Sequence, residues 1–255
     1  MIDLKQTTFI IPLRVDTGDR LRNVILSTCF LLHHFDTTVM IKEVDSERRF
    51  ETFALPIIKR LVDTKNLVHV FEEETRTDDA FHRTKVLNDM VMMSKTDVVV
   101  NYDTDIILPV SSYTTAVEML SGECDVVYPY KFGERGERKV NLPLTIDTQE
   151  DMDEFEMVQF FNRQVYIDGY LENEGFIAYA PEDVERHHRW KTLGYNIGRV
   201  DTHAYHLEHD RTQNSWYTNP HMVRNNQLWE ELKVLSKEQL IEYYTQQDYV
   251  KERLG

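Results

Sequence analysis

Along the first 130 residues, short apolar runs alternate with segments of helical spacing. Strand-length runs recur at Thr7 to Leu13, Thr38 to Val44, Leu67 to Phe71, Asp97 to Tyr102 and Val126 to Tyr130. Each is too short for a helix and rich in β-branched or aromatic residues. Between them Leu21, Val24, Ile25, Thr28, Leu32 and Phe35 fall on one helical face, with Arg20, Arg22 and Asn23 off it. Glu47 to Val62, Phe81 to Ser94 and Ser111 to Leu120 follow the same helical period. Such alternation predicts an α/β domain with a mainly parallel central sheet, whose ligands bind at the carboxyl edge of the strands.

The second half is less regular. Gly133 to Asn141 reads as a polar loop, Asp147 to Glu156 as one solvated acidic helix face, and Phe155 to Phe161 as helical. A helix over Glu182 to Leu193 is entered by Pro181 and closed by Gly194, and Tyr195 to Arg199 forms a short strand. Ser236-Lys237-Glu238-Gln239 is a capping box that opens a last helix, up to about Arg253. No internal repeat or low-complexity linker is visible. The expected organisation is one domain over residues 1–211 and a helical extension over 212–255 packed on it.

Composition narrows the setting. With 255 residues the chain can bury a core without staples. A net charge of −15 gives no general attraction for nucleic acid or anionic membranes. No apolar run is long enough to span a bilayer and no signal peptide is visible, so no membrane span is expected. Cys29 and Cys124 are distant from each other, which fits a reducing, cytoplasmic location better than a disulfide framework.

Three clusters carry chemistry. Asp103-Thr104-Asp105 follows the apolar run Val98 to Tyr102, so both carboxylates project from the ligand edge of the sheet. Clustered carboxylates repel unless a cation joins them, and oxygen ligands beside a diphosphate suit Mg²⁺ or Mn²⁺. An ordinary Asp-rich turn would read the same way. Glu182 and Asp183 open a helix, where one can cap and the other can face a cleft and accept a proton from a hydroxyl. Capping alone is the plainer alternative. His206 and His209, three apart, can reach one cation, whereas His187 and His188 read as surface residues. Of the aromatic residues after Arg211, Trp216, Tyr217 and Trp229 either pack or cover a binding site, and packing is the simpler reading.

Taken in order, these motifs resemble the inverting GT-A glycosyltransferases of the family-2 type, and among them the relatives of chondroitin polymerase and the β-1,4-galactosyltransferases. The resemblance rests on Asp103-Thr104-Asp105, on Gly175 to Asp183 with the following "EDVERHHRWKTLGYNIGRV", and on Tyr205 to His209. It covers about residues 7–211. It implies a nucleotide-sugar donor (a UDP-sugar) and a divalent metal, Mn²⁺ or Mg²⁺. Pro12, Leu13 and Arg14 would line the base, and Glu43 and Asp45 would contact base or ribose. Arg83 and Lys85 would lie near the nucleotide. Asp103 and Thr104 would face the donor, with Asp103 also in the metal shell. Asp105 and His209 would bind the metal, with His206 a second histidine ligand. Asp183 would be the catalytic base and Glu182 would hold acceptor or donor sugar. The acceptor segment "LENEGFIAYAPEDVER" is shorter than the family's and lacks its Gly-Gly and Trp-Gly.

The expected activity is metal-dependent transfer of a sugar to an acceptor hydroxyl on a glycan, a protein or a small molecule, with a modified nucleic acid a weaker candidate on this acidic chain. Two rivals remain. A sugar nucleotidyltransferase would want a glycine-rich phosphate loop after the first strand, and none precedes Gly18. A non-catalytic carbohydrate- or partner-binding module could keep the same fold.

Overall fold

The computed structural model describes residues 1–76, 78, 80–136, 146–148, 158–210, 212 and 219–255. Its first half alternates as the sequence pattern predicts. Strand β1 (Ile2–Leu13) leads to α1 (Gly18–His34), β2 (Phe35–Asp45), a π-helical turn at Phe50–Ala54, α2 (Leu55–Leu61) and β3 (Leu67–Glu73). Next come α3 (Arg83–Met93), β4 (Val98–Tyr102), the short β5 (Ile106–Ile107), α4 (Val110–Leu120) and β6 (Val126–Tyr128). Thr17 caps α1 by accepting the Arg20 backbone N–H at 3.1 Å.

In the second half the strands are β7 (Phe132–Gly136), β8 (Ile146–Thr148), β9 (Val158–Asn162), β10 (Ile197–Arg199) and β11 (His203–His206). The helices are α5 (Arg163–Asp168), α6 (Glu182–Leu193), α7 (Met222–Leu232), α8 (Lys237–Gln246) and α9 (Asp248–Leu254). Seven strands form the main sheet in the order β10-β6-β9-β4-β1-β2-β3, and four form a second sheet, β5-β11-β7-β8. Neighbours in the main sheet run parallel except β9, which is antiparallel to β4 and β6. The carboxyl ends of β1, β2 and β4 therefore share one edge.

Several sequence expectations change. Residues 158–161 are strand, not helix. Their apolar spacing fits either state, and tertiary placement decides: β9 sits between two strands with both faces buried. Phe160 meets Phe9 and Tyr113 on one side, and Phe161 meets Tyr166 and Trp190 on the other. Part of the expected polar loop is β7, and Ile146–Thr148 is strand β8, while the remaining acidic stretch 149–157 lies outside the described residues. The last helix breaks at Gln247, whose φ of −68° and ψ of 134° are extended. His187 is half-buried rather than on the surface, with its Nδ1 3.2 Å from the Tyr128 hydroxyl. Among the described residues, no helix is long and apolar enough to cross a membrane.

A second, smaller core gathers Phe176, Leu232, Leu240, Tyr244, Tyr249 and Val250, so α7 to α9 pack over the segment that precedes α6. That segment starts with two consecutive left-handed residues, Tyr170 (φ 70°) and Leu171 (φ 63°). Such φ values cost roughly 1–2 kcal/mol each outside glycine. The fully buried Arg189 holds the turn by donating to the carbonyls of Gly169 and, at 2.8 Å, of Leu171, while Glu185 balances its charge at 3.0 Å. Gly169 itself admits no side chain, because a Cβ would sit 2.8 Å from Trp190 Nε1. Replacing Arg189 by Met should strand the buried Glu185 carboxylate and two carbonyls, costing about 3–5 kcal/mol. Urea unfolding measures this, and a loss below 1 kcal/mol would mean the turn is held by other contacts.

Candidate active site

The Asp103-Thr104-Asp105 triplet turns directly off β4, with Ile106 N–H donating back to Asp103 O at 3.3 Å. The chain then enters β5, which pairs antiparallel with β11 so that Ile106 lies opposite His206. Leu207 N–H donates to Asp105 O at 2.6 Å, which continues the pairing past the strand end. This local register brings residues a hundred positions apart into one cluster. Asp105 Oδ2 lies 2.8 Å from His209 Nε2 and 3.6 Å from His206 Nε2, and one ligand atom from each residue falls within 4.8 Å of the others.

The first turns of α1 brace the histidine segment from behind. Asp19 Oδ2 accepts Asp210 N–H at 3.0 Å, Arg22 donates to Glu208 O at 2.5 Å, and the buried Asn23 donates to Leu207 O at 3.3 Å. Burial alone would raise the Asp105 carboxyl. The His209 hydrogen bond and the nearby His206, His209 and Arg20 charges outweigh it, so Asp105 stays ionised below the usual carboxylate range. The same hydrogen bond, against the opposing effect of burial, raises the His209 imidazole.

Across the cleft, Arg83 at the start of α3 faces three carboxylates. Its Nη2 donates to Asp103 Oδ1 at 2.8 Å, and its Nη1 lies 3.7 Å from Glu182 and 3.9 Å from Asp183. Glu182 and Asp183 occupy the first turn of α6. Burial, then repulsion from Asp183, pushes Glu182 well above its usual range, and burial also raises Asp103. Between these two halves lies a cleft of about 220 Å³. Pro12, Leu13 and Arg14 form one wall at the end of β1, and Ala178, Tyr179 and Ala180 form another. The triplet, Glu182, Asp183 and His209 all line it.

No family model matches the sequence, and no curated protein matches it. Solved structures do. A mannosyltransferase from Pyrobaculum calidifontis, in complex with GDP-Man and Mn²⁺, matches with a TM-score of 0.55 and 13% identity over 81% of this chain and 58% of its own. GalNAc-T7 with UDP, GalNAc and Mn²⁺ matches at 0.60 and 12% identity, over 88% of this chain and 47% of its own. S. aureus TarS 1-349 with UDP-GlcNAc matches at 0.59 and 12% identity, over 93% and 69%. The chain has the GT-A fold. It spans from about half to about two thirds of the length of these chains.

On this GT-A frame the carboxyl edge of the sheet gathers most of the sequence-predicted site residues. Four do not line the cleft: His206 lies 3.6 Å from Asp105 without reaching the lining, and Glu43, Asp45 and Lys85 stay apart from it. Glu43 is fully buried, accepting Phe50 N–H at 2.7 Å at the start of the π-helical turn and lying 3.0 Å from His69 Nε2. Asp45 uses both carboxylate oxygens on backbone, accepting Val15 N–H at 3.2 Å and Ser46 N–H at 2.7 Å. Lys85 is exposed on α3 and does not line the cleft. Arg14 does line it, but its guanidinium pairs with Glu74 and stacks 5.4 Å over Phe81. Trp216 and Tyr217 lie outside the described residues, and Trp229 packs on α7 against His188 at 5.5 Å.

The sequence reading missed Arg20, Asp16 and Phe81 in the lining, and Arg186 behind it. Arg20 had a signal, since it lies off the apolar face of a helix that starts at the ligand edge. Arg186 had one too, three residues after Asp183 on the same helix. Among the described residues, Arg83 is the one cation within 4 Å of Asp103, Glu182 and Asp183 together, so Arg83→Gln should destabilise the fold by roughly 3 kcal/mol at pH 7.5. The loss should shrink towards pH 5. Asp103 and Glu182 already have raised folded values, so the native state binds more protons than the unfolded one, and stability falls as pH rises through that window. Thermal unfolding against pH checks the sign; an equal loss at both pH values would contradict it.

Proposed function

We propose that this protein is a metal-dependent inverting glycosyltransferase that moves a sugar from a nucleotide-sugar, a UDP-sugar, to an acceptor hydroxyl. The observation that carries the reading is that the Asp105–His206–His209 cluster opens, through Asp105 and His209, onto the same cleft as Asp183 on a GT-A fold. The donor set fits the implied cation. One carboxylate oxygen and two imidazole nitrogens converge within 4.8 Å, a mixed oxygen and nitrogen set that can hold a first-row divalent cation such as Mn²⁺, with Asp103 in the lining of the same cleft. When bound, the cation supplies Lewis-acid stabilisation of the departing diphosphate.

The chain's own residues do the rest. Pro12, Leu13 and Arg14 wall the nucleotide side, with Asp103 and Thr104 beneath the donor. Arg20, whose Nε lies 3.0 Å from Asp16, replaces Lys85 as the second cation facing the diphosphate, beside Arg83. Asp183 takes the proton from the acceptor oxygen. That oxygen forms the new bond to the anomeric carbon from the side opposite the leaving group. The bond from that carbon to the diphosphate oxygen breaks, and its electron pair leaves with the nucleoside diphosphate. Glu182, with its raised carboxyl, can donate a hydrogen bond to a sugar hydroxyl.

Residues 1–211 form the catalytic unit in this reading, and 212–255 steady the acceptor side. Asn225 donates to Ile177 O at 2.8 Å and Asn219 to Tyr179 O at 2.6 Å, on either side of the left-handed Ala178 (φ 58°) in the cleft wall. The acceptor is a hydroxyl of a glycan, protein or small molecule. The free Cys29 and Cys124 support a cytoplasmic setting.

Two outcomes test the proposal. Calorimetric titration with Mn²⁺ in the presence of UDP should show affinity lowered more than about 10-fold in Asp105→Asn and in His209→Ala. Unchanged affinity in both would remove the metal site. Asp183→Asn should lower turnover by roughly 10²–10⁴-fold while UDP and Mn²⁺ still bind, because it removes only the base. Full activity in that variant would sink the base assignment.

A further inference from the structure

Asp183 is held from behind. Its Oδ1 accepts a hydrogen bond from Arg186 Nη2, three residues further along α6. Arg186 is fully buried, and an isolated buried guanidinium is costly. A second carboxylate offsets that cost: Arg186 Nη1 donates to Glu172 Oε1 at 2.9 Å and Oε2 at 3.0 Å. Glu172 is fixed in turn. Its backbone N–H donates to Asn88 Oδ1 at 2.7 Å, the Asn88 amide donates to Glu172 O at 3.0 Å, and the Tyr166 hydroxyl donates to its carboxylate. Tyr166 is itself locked in the core, edge-on to Phe161 at 4.5 Å and to Trp190 at 5.8 Å.

A continuous chain of bonds thus runs Tyr166–Glu172–Arg186–Asp183 from core to cleft. The hydrogen bond from Arg186 falls on Oδ1, the oxygen that also lies 3.9 Å from Arg83. Among the described residues, Oδ2 makes no hydrogen bond. We propose that Arg186, held by Glu172, is the positioning residue that sets the Asp183 carboxylate so that Oδ2 is the atom that takes the acceptor proton. This rests on the glycosyltransferase reading and adds the group that orients its base, the role a third residue plays behind many activated bases. A guanidinium alone would draw a carboxylate towards permanent ion pairing. Sharing it with Glu172 leaves one positive charge between two negative ones, so Asp183 is oriented without being neutralised.

The neighbouring pair supplies a built-in contrast. Glu185 and Arg189, one turn away, are as deeply buried, but Arg189 reaches the carbonyls of Gly169 and Leu171 and not the cleft. Arg189 should matter for stability alone.

The test uses hydrolysis of a nucleotide-sugar with Mn²⁺, water serving as acceptor. In that reaction the water proton goes to Asp183, the hydroxyl oxygen bonds to the anomeric carbon, and the nucleoside diphosphate leaves. A panel of UDP- and GDP-sugars selects the donor that the wild type turns over best. Arg186→Lys, and the double change Arg186→Met with Glu172→Gln, which leaves no buried charge unpaired, should each lose about 10–100-fold in kcat. Donor KM and the calorimetric Kd for UDP with Mn²⁺ should stay within about twofold, because the donor side is untouched. Arg189→Lys should lower Tm at unchanged kcat. On an Asp183→Asn background, Arg186→Lys should cost nothing further, since it acts only through Asp183. Wild-type kcat in a folded Arg186→Lys protein overturns the inference, as does an undiminished further loss on the Asp183→Asn background. If the wild type neither binds UDP with Mn²⁺ nor hydrolyses any donor, the glycosyltransferase reading itself fails and the inference falls with it.

Discussion

Carboxylates gathered in a poorly hydrated cleft repel one another, and this site assembles because Arg83 stands between them. Asp103 arrives on the turn after β4, while Glu182 and Asp183 arrive on the first turn of α6, some eighty residues later. Without a shared cation these two elements would splay. Arg83 bonds to one and lies within 4 Å of both members of the other. It sits at the start of α3, whose later turns reach the same region through Asn88. One helix therefore spaces the two halves of the cleft.

The same constraint explains why the irregular stretch before α6 is so heavily braced. Residues 172–180 form neither helix nor strand, so their backbone groups need side-chain partners. Thr84 and Asn88 supply them from α3, Asn219 and Asn225 from the C-terminal region, and Tyr244 reaches Asn173 at 3.0 Å. Arg253 on α9 pairs with Glu174 at 2.8 Å and with Asp89 at 2.8 Å. A left-handed Ala178 persists there because the carbonyls on both sides of it are held. The last three helices are thus a clamp on the cleft wall, with an apolar inner face of Leu232, Leu240 and Val250 that also carries Tyr244 and Tyr249.

The first half of the fold was legible because its strands are apolar runs of strand length and its helices have one apolar face. Asp103 to Asp105 and Glu182-Asp183 were legible because both sit at element ends on the ligand edge. The missed strand β9 shows the limit: Val158, Phe160 and Phe161 satisfy either period, and insertion between β4 and β6 decides. Glu43, Asp45 and Lys85 show another. Position at or near a ligand edge does not tell a carboxylate that caps backbone from one that faces solvent, and a basic residue two places from Arg83 points elsewhere. Arg186 was hidden because a charged residue on a helix normally reads as solvated, whereas here the buried Glu172 and the half-buried Asp183 draw it inward.

Charge within the cleft also bears on the proposed metal dependence. Three arginines line it, Arg14, Arg20 and Arg83, against five carboxylates, Asp16, Asp103, Asp105, Glu182 and Asp183. Each of those arginines already has a carboxylate partner: Glu74, Asp16 and Asp103 in turn. With Asp103 and Glu182 raised towards neutrality, Asp16, Asp105, Asp183 and Glu74 still offset the three arginines and His209, so no surplus positive charge remains to attract a dianionic diphosphate. The chain as a whole, at −15, adds none, and its long-range field is screened within about 8–10 Å in physiological salt. A divalent cation at Asp105, His206 and His209 reverses that balance where the phosphates would lie. On the proposed glycosyltransferase reading, metal dependence then has a basis in the cleft's own electrostatics as well as in the converging ligands, because an anionic donor entering without the cation would meet no net attraction.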